Sequence, residues 1–231
     1  MKVTLLVPTL NEEAGIGPTL DAVDRAAFQS RGWSLEPLVI DGDSKDRTRT
    51  EAERRGARVV VEPRRGYGRA YKRGFAEATG DVVVTADADG TYPVERMHDL
   101  VAEFLGKGLD FATCDRYADL RSGAMSAKHR FGNWVLSTTS RVLFRVPVRD
   151  SQSGMWILGR KALAGLDFEA MPEGMAFSEA LKVEAFRHPG LRSAEFPSSL
   201  APRIGEPVLA SWKDGLRNLA ALWKRRLTGR W

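Results

Sequence analysis

The chain has 231 residues, 43% of them hydrophobic and 28% charged, with a formal net charge of +5 and a single cysteine, Cys114. That length buries a substantial core in one large domain or two closely fused ones, and one cysteine excludes an internal disulfide and fits a reducing cytosol. No run approaches a membrane-spanning helix, and the N-terminus enters a strand with no signal-peptide pattern.

Residues 3–8 form the first predicted strand, and Asn11 followed by Glu12 and Glu13 reads as a helix start, with Ile16, Leu20 and Val23 as its apolar stripe. Residues 37–40 are a second strand, ending in Asp41-Gly42-Asp43-Ser44. Residues 46–55 are helical, with Gly56 as a stop. A third strand over 58–61 leads into a loop at 63–68 and a helix to about Ala78.

The β-branched run 82–86 has the composition of a buried central strand and ends in two carboxylates, Asp87 and Asp89. Alternate side chains of an extended backbone point the same way, so both acids face one spot at the strand's carboxyl end. Gly90 turns the chain, and Pro93 suits the first turn of a helix to about Leu105. Strand alternating with helix four times predicts an α/β fold, a doubly wound, mainly parallel sheet with helices on both faces.

Residues 109–114 are a further strand, followed directly by Arg116. A long helix over 126–146 precedes a polar loop, Asp150-Ser151-Gln152-Ser153-Gly154-Met155-Trp156. A helix over 175–186 carries Glu179 and Lys182 on one face, either as donor-site residues or as an ordinary helix-face pair. A strand over 191–196 and a loop over 203–207 lead to a basic last helix from 208 to about 227. Its stripe Leu209, Trp212, Leu216, Leu219, Trp223 and Leu227 is expected to pack on its own domain. The alternative is an interfacial helix meeting anionic headgroups.

Two acids leaving a buried strand are costly unless a cation meets them. A hard divalent ion takes one or two carboxylates and completes its shell with water and phosphate oxygens, which describes a nucleotide diphosphate site. The plainer alternative, two acids capping the next helix, loses ground because open α/β sheets bind ligands at that edge. Several other motifs are absent. Gly15-Ile16-Gly17 lacks the third glycine of a dinucleotide fingerprint, there is no GxxxxGK[ST] loop, and His98, His129 and His188 are isolated. Basic residues cluster at Lys128, Arg130, Arg141 and Arg145 and again at Lys213, Arg217, Lys224, Arg225, Arg226 and Arg230. Such patches suit phosphates or anionic membranes; without a helix-turn-helix, zinc finger or RNA-recognition motif, no nucleic-acid partner is expected.

Six motifs in this order resemble the family 2 glycosyltransferases of the GT-A fold, and among them the polyprenyl-phosphate hexose synthases such as dolichol-phosphate mannose synthase. They are Pro8-Thr-Leu-Asn-Glu12, Asp41-Gly-Asp-Ser-Lys-Asp-Arg-Thr48, Gly66-Tyr-Gly-Arg-Ala70, Asp87-Ala-Asp89, Asp150-Ser-Gln-Ser-Gly154 and Arg203-Ile-Gly205. The resemblance implies a single GT-A domain, with a nucleotide-sugar half over 1–115, an acceptor half over 116–207 and an amphipathic C-terminal helix over 208–231. It implies that Pro8, Glu12 and Asp41 hold base and ribose and that Asp87 lies against the nucleotide. Asn11, Asp43, Arg69 and Glu179 join the donor-binding set. Asp89, with Asp87 and Thr91, would ligate magnesium or manganese; Thr91 stands where relatives often carry glutamine and is a poorer ligand. Arg116 and Arg130 would hold a lipid phosphate and Arg203 the donor diphosphate.

Two departures stand out: Asp41-Gly42-Asp43-Ser44 replaces the usual Asp-Asp-Gly-Ser, and Met155 and Trp156 replace an aromatic and an arginine. The implied reaction moves mannose or glucose from a GDP- or UDP-hexose to a polyprenyl or dolichyl phosphate with inversion. An anionic phosphate needs no strong base; the competing reading, a soluble sugar or glycan hydroxyl as acceptor, has only Glu179 as an obvious one. An inert nucleotide-sugar or membrane-binding module is the remaining alternative. The implied location is cytoplasmic, with peripheral contact at the cytoplasmic face of the membrane.

Overall fold

The computed structural model describes residues 1–205 and 211–231, with side chains of the second stretch described from 214 on. Seven strands form one sheet in the order β3-β2-β1-β4-β6-β5-β7. The first half runs β1 (Lys2–Thr9), α1 (Ile16–Asp21), α2 (Arg25–Ser30), β2 (Ser34–Asp41), α3 (Thr48–Glu53), β3 (Arg58–Val61), α4 (Tyr67–Glu77) and β4 (Val82–Thr85). A 3-10 turn at Val94–Arg96 and α5 (Met97–Gly106) follow. The second half comprises β5 (Phe111–Leu120), α6 (Ala127–Phe144), β6 (Trp156–Gly159), α7 (Arg160–Gly165), α8 (Phe177–Arg187), β7 (Ser193–Leu200) and α9 (Ser211–Thr228).

Strands β1 to β4 pair in parallel, with Leu5 opposite both Pro37 and Val84. Strand β6 lies antiparallel between β4 and β5, and β5 pairs in parallel with β7. The period-two alternation of β1 divides the core. Val3, Leu5 and Val7 join Ile16, Leu20, Met97 and Phe104 on one face, whereas Leu6 meets Tyr71, Trp156, Phe177 and Leu181 on the other. A third cluster, including Leu136, Phe144, Val183 and Leu222, binds α6, α8 and α9 together. All four residues of β4 are buried, as the β-branched run predicts. After β1 the chain builds outward through β2 and β3 and returns on the other side of β1 as β4. That reversal makes a switch point, whose crevice opens at the carboxyl ends of β1 and β4.

Several expectations need correction. The first helix does not start at Asn11, which adopts φ 54° in a loop; it starts at Ile16, with Gly15 before it. A Cβ on Gly15 would come within 2.5 Å of the Ala88 carbonyl oxygen, so this glycine serves close packing of helix on strand exit. The strand expected over 109–114 extends to Leu120 and carries Arg116 within it.

The expected stripe of the last helix packs on the domain only in part. Leu219 is partly buried against the third cluster beside the buried Asn218 and Leu222, whereas Leu216, Trp223 and Leu227 are exposed; Leu209 and the side chain of Trp212 lie outside the described residues. Helix α6 behaves alike: Leu136, Ser137, Ser140 and Phe144 are buried, while Phe131, Trp134 and Val142 face solvent. Glu179 and Lys182 are not a solvated helix-face pair. Each is 1% exposed, and no ion pair joins them among the described residues.

Candidate active site

The loops after β1 and β2 are stapled by hydrogen bonds that use their own polar residues. Asn11 N donates to Ser44 Oγ (2.9 Å) and Asn11 Oδ1 accepts from Lys45 N (2.9 Å); Glu12 N donates to Thr48 Oγ1 (2.8 Å). Asp41, fully buried, accepts from Ser44 N at 2.9 Å and lies 3.7 Å from Arg49 Nε. Asp43 takes φ 62° and pairs with Lys45, and Pro8 lies in β1 opposite Ile40. The structure thus gathers Pro8, Asn11, Glu12, Asp41 and Asp43 at the ends of two adjacent parallel strands.

Beside them stand the acids of the β4 exit. Asp89 is 5% exposed. Its Oδ1 accepts from Thr91 N (3.1 Å) and Thr91 Oγ1 (2.7 Å), so Thr91 orients this carboxylate. Its Oδ2 accepts from Arg203 Nη1 at 2.7 Å, and the other arm of the same guanidinium donates to Glu12 Oε1. Ile204 N closes the loop onto the Asp89 carbonyl at 2.8 Å. Asp87 is pushed up to about 7, first by its low-dielectric surroundings and then by the Asp89 charge. Glu12 is also raised by burial, against the opposing pull of Arg203. A Cβ on Gly154 would lie 2.9 Å from Tyr67 Oη, 3.3 Å from Asp87 Oδ1 and 3.4 Å from Tyr92 Oη, so only glycine fits against this wall.

Among the described residues no three His, Cys, Asp or Glu side chains form a closed metal cage. The donor set nevertheless fits a hard divalent ion, which is held by one or two carboxylates plus water and phosphate oxygens. Arg203 already places a cationic group on Asp89.

On the other side of β6, Arg116 grips Asp150 through Nε (2.6 Å) and Nη2 (2.9 Å). Burial alone would raise Asp150, but the guanidinium outweighs it and holds the carboxyl below its usual range. The loop 150–154 is tied down along its length. Ser151 N donates to Ser137 Oγ (3.0 Å), Gly154 N to Tyr92 Oη (2.6 Å), and Thr85 Oγ1 to the Gly154 carbonyl (2.6 Å). Glu179 accepts from Gln152 Nε2 at 2.7 Å, and burial pushes it up to about 8.

Arg130 is not brought to the acid cluster. It lies on exposed α6, lining a groove of about 490 Å³ with Tyr117, Phe131, Trp134, Arg141 and Arg149. Arg69 pairs with Glu173, and Gly66 and Gly68 sit against the backbone of 172–173. Sequence reasoning missed Tyr92 and Thr85 as anchors of the loop and Asp150 as the partner of Arg116. Asp150 stood in a recognised motif, but its partner is 34 residues away.

The glycosyl transferase family 2 model matches residues 4–166. The chain is 33% identical over 219 residues to the low-salt glycan biosynthesis hexosyltransferase Agl6 of Haloferax volcanii, covering 94% of this chain and 52% of the relative, so it spans about half of that protein. It is 29% identical over 218 residues to a dolichyl-phosphate hexose transferase of the same organism, covering 92% of this chain and 89% of the relative. Among solved structures, glucosyl-3-phosphoglycerate synthase of Mycobacterium tuberculosis, in complex with Mn2+, UDP-glucose and phosphoglyceric acid, superposes with a TM-score of 0.77. It covers 97% of this chain and 79% of its own at 23% identity, a likeness of fold. A family match running from β1 past the end of α7 leaves one conclusion: the chain belongs to glycosyl transferase family 2.

Proposed function

We propose that the protein transfers a hexose from a nucleoside-diphosphate sugar to a polyprenyl phosphate, with inversion at the anomeric carbon. In this reading residues 1–115 bind the donor and 116–207 the acceptor. Pro8, Asn11, Glu12, Asp41 and Asp43 receive the nucleoside, and Asp87 lies against it. Asp89 and Asp87 would hold magnesium or manganese, with Thr91 fixing the Asp89 rotamer. Such an ion supplies Lewis-acid stabilisation of the departing diphosphate. Arg203 stands at the same rim and brings a second positive charge to the leaving group.

The observation that carries the acceptor reading is the groove lined by Arg130, Arg141 and Arg149 with Phe131 and Trp134. Glu179, the candidate base for a hydroxyl acceptor, is 1% exposed, and its Oε1 accepts from Gln152. An acceptor that arrives ionised needs cations to position it, not a base. Arg116, oriented by Asp150, and Arg130 supply them. The name of the Haloferax relative, a dolichyl-phosphate hexose transferase, supports the same class. No helix among the described residues is long and apolar enough to cross a membrane. The outward Phe131, Trp134, Val142, Leu216, Trp223 and Leu227 suit peripheral contact with an anionic leaflet, which we place at the cytoplasmic face.

The test offers GDP-mannose and UDP-glucose in turn, with magnesium or manganese, to a short polyprenyl phosphate, to a glycan hydroxyl and to phosphoglycerate. Transfer to the lipid phosphate with a β-anomeric product by NMR is expected. An α product sinks the single displacement, and transfer only to either other acceptor sinks the lipid.

A further inference from the structure

Helix α8 carries a buried ammonium that the proposed chemistry does not use. Lys182 is 1% exposed, and no carboxylate of the described residues forms an ion pair with it. Burying an amine with no carboxylate paired to it is expensive and pulls Lys182 down to about 7, so a fold that keeps it must satisfy its protons. Three acceptors do so here: the Ser151 carbonyl at 2.8 Å, the Ser153 carbonyl at 2.6 Å and Ser178 Oγ at 2.8 Å. The ammonium also lies 5.2 Å from the centre of the Trp156 ring, whose Nε1 donates to the same Ser153 carbonyl at 2.8 Å.

Two of those acceptors belong to the loop 150–154, so Lys182 holds the middle of a segment whose two ends both face the site. At one end Asp150 fixes the guanidinium of Arg116 in a two-pronged pair. At the other, Gly154 lies against Tyr92 and the Asp87 carboxylate. Backbone carbonyls turned inward onto Lys182 fix the path of the loop between those ends. Ser178, one turn earlier on α8, adds its hydroxyl to the same two carbonyls at 3.3 and 3.2 Å.

We propose that Lys182 is a positioning residue for the acceptor side: it fixes the loop 150–154, and through Asp150 the orientation in which Arg116 meets the acceptor phosphate. This rests on the function proposed above. The role differs from simple packing because the cation is unfavourable to bury, and a methionine of similar length fills the same space. Lys182→Met therefore keeps or raises the melting temperature while function suffers.

The experiment has one arm that needs no substrate. In Lys182→Met, amides of 151–156 should exchange with solvent about tenfold faster or more, with β1 and β4 unchanged. In the second arm KM for a short polyprenyl phosphate should rise about tenfold, with KM for the sugar nucleotide unchanged. Ser178→Ala should show the same pattern with a smaller amplitude. Unchanged loop exchange overturns the proposal, as does a variant in which both KM values rise while the melting temperature falls. If the wild type transfers nothing to polyprenyl phosphate, the functional reading fails by itself, and loop exchange still decides whether Lys182 holds the segment.

Discussion

The two sides of the crevice are built by opposite means. At the ends of β1 and β2, loop amides bond to short polar side chains of the neighbouring loop, as with Asn11 and the buried Ser44 or Glu12 and the buried Thr48. Across β6, ionisable groups are buried: Asp150 and Lys182 are inaccessible, and Arg116 is nearly so. Each short bond on the first side is worth about 1 kcal/mol and can be lost singly. On the second, removing one partner strands another in a low-dielectric interior. The proposed donor side should therefore tolerate substitution in stability and fail in chemistry, whereas on the proposed acceptor side loss of either member of the Arg116–Asp150 pair should cost both.

Breaking the acceptor side gives the largest expected effect. Asp150→Ala leaves the Arg116 guanidinium buried without its carboxylate, and a denaturant midpoint should report a loss of about 3–5 kcal/mol. A loss below about 1 kcal/mol would show that solvent reaches Arg116 freely. On the donor side, Asp89→Asn should leave the midpoint nearly unchanged and cut kcat by about 10²–10³-fold. Full activity in that variant would remove the acid pair from the reaction. Next in size is the outer surface: Trp134→Glu with Trp223→Glu should weaken flotation on anionic vesicles by about tenfold, or about 1.4 kcal/mol for two rings that bury only part of their surface at the headgroup boundary. Equal flotation of the variant removes the membrane from the account.

The smallest effect lies at the other end of the sheet and serves as a control. Burial would raise Glu36, but hydrogen bonds from Thr4 and Thr79 outweigh it and hold the carboxyl at about 2, against 4.5 ordinarily. A carboxyl lowered by folding stabilises the protein above its unfolded value, and that contribution disappears as pH falls from 4.5 toward 2. Glu36→Gln should flatten the stability profile over that window by about 1 kcal/mol, after allowance for solvent screening, without changing transfer. A steeper profile in the variant contradicts the hydrogen-bond assignment.

The asymmetry also explains what the sequence disclosed. The parallel strands and the buried β4 were legible because local composition decides them: three valines in a row bury a strand. Asn11 misled because the same side chain that caps a helix can also accept from a distant amide, here Lys45 N. Lys182 looked like half of a surface pair because spacing reports which residues share a helix face, not whether that face is buried. The stripe on α9 was legible only in part for a related reason: periodicity identifies an apolar face, but its partner lies elsewhere in the chain, and here Leu219 turns inward with Asn218 and Leu222 while Leu216, Trp223 and Leu227 do not. The short antiparallel β6, only four residues from Trp156 to Gly159, lacked enough alternation to announce itself.

That short strand sets a distance. β6 is hydrogen-bonded to β4, which ends in the acids, and to β5, which carries Arg116, so the two flanking strands stand two ladder spacings, roughly 10 Å, apart. In the proposed reaction the gap between sugar and incoming nucleophile is then ruled by the stiffest part of the molecule, and the sheet itself serves as the gauge.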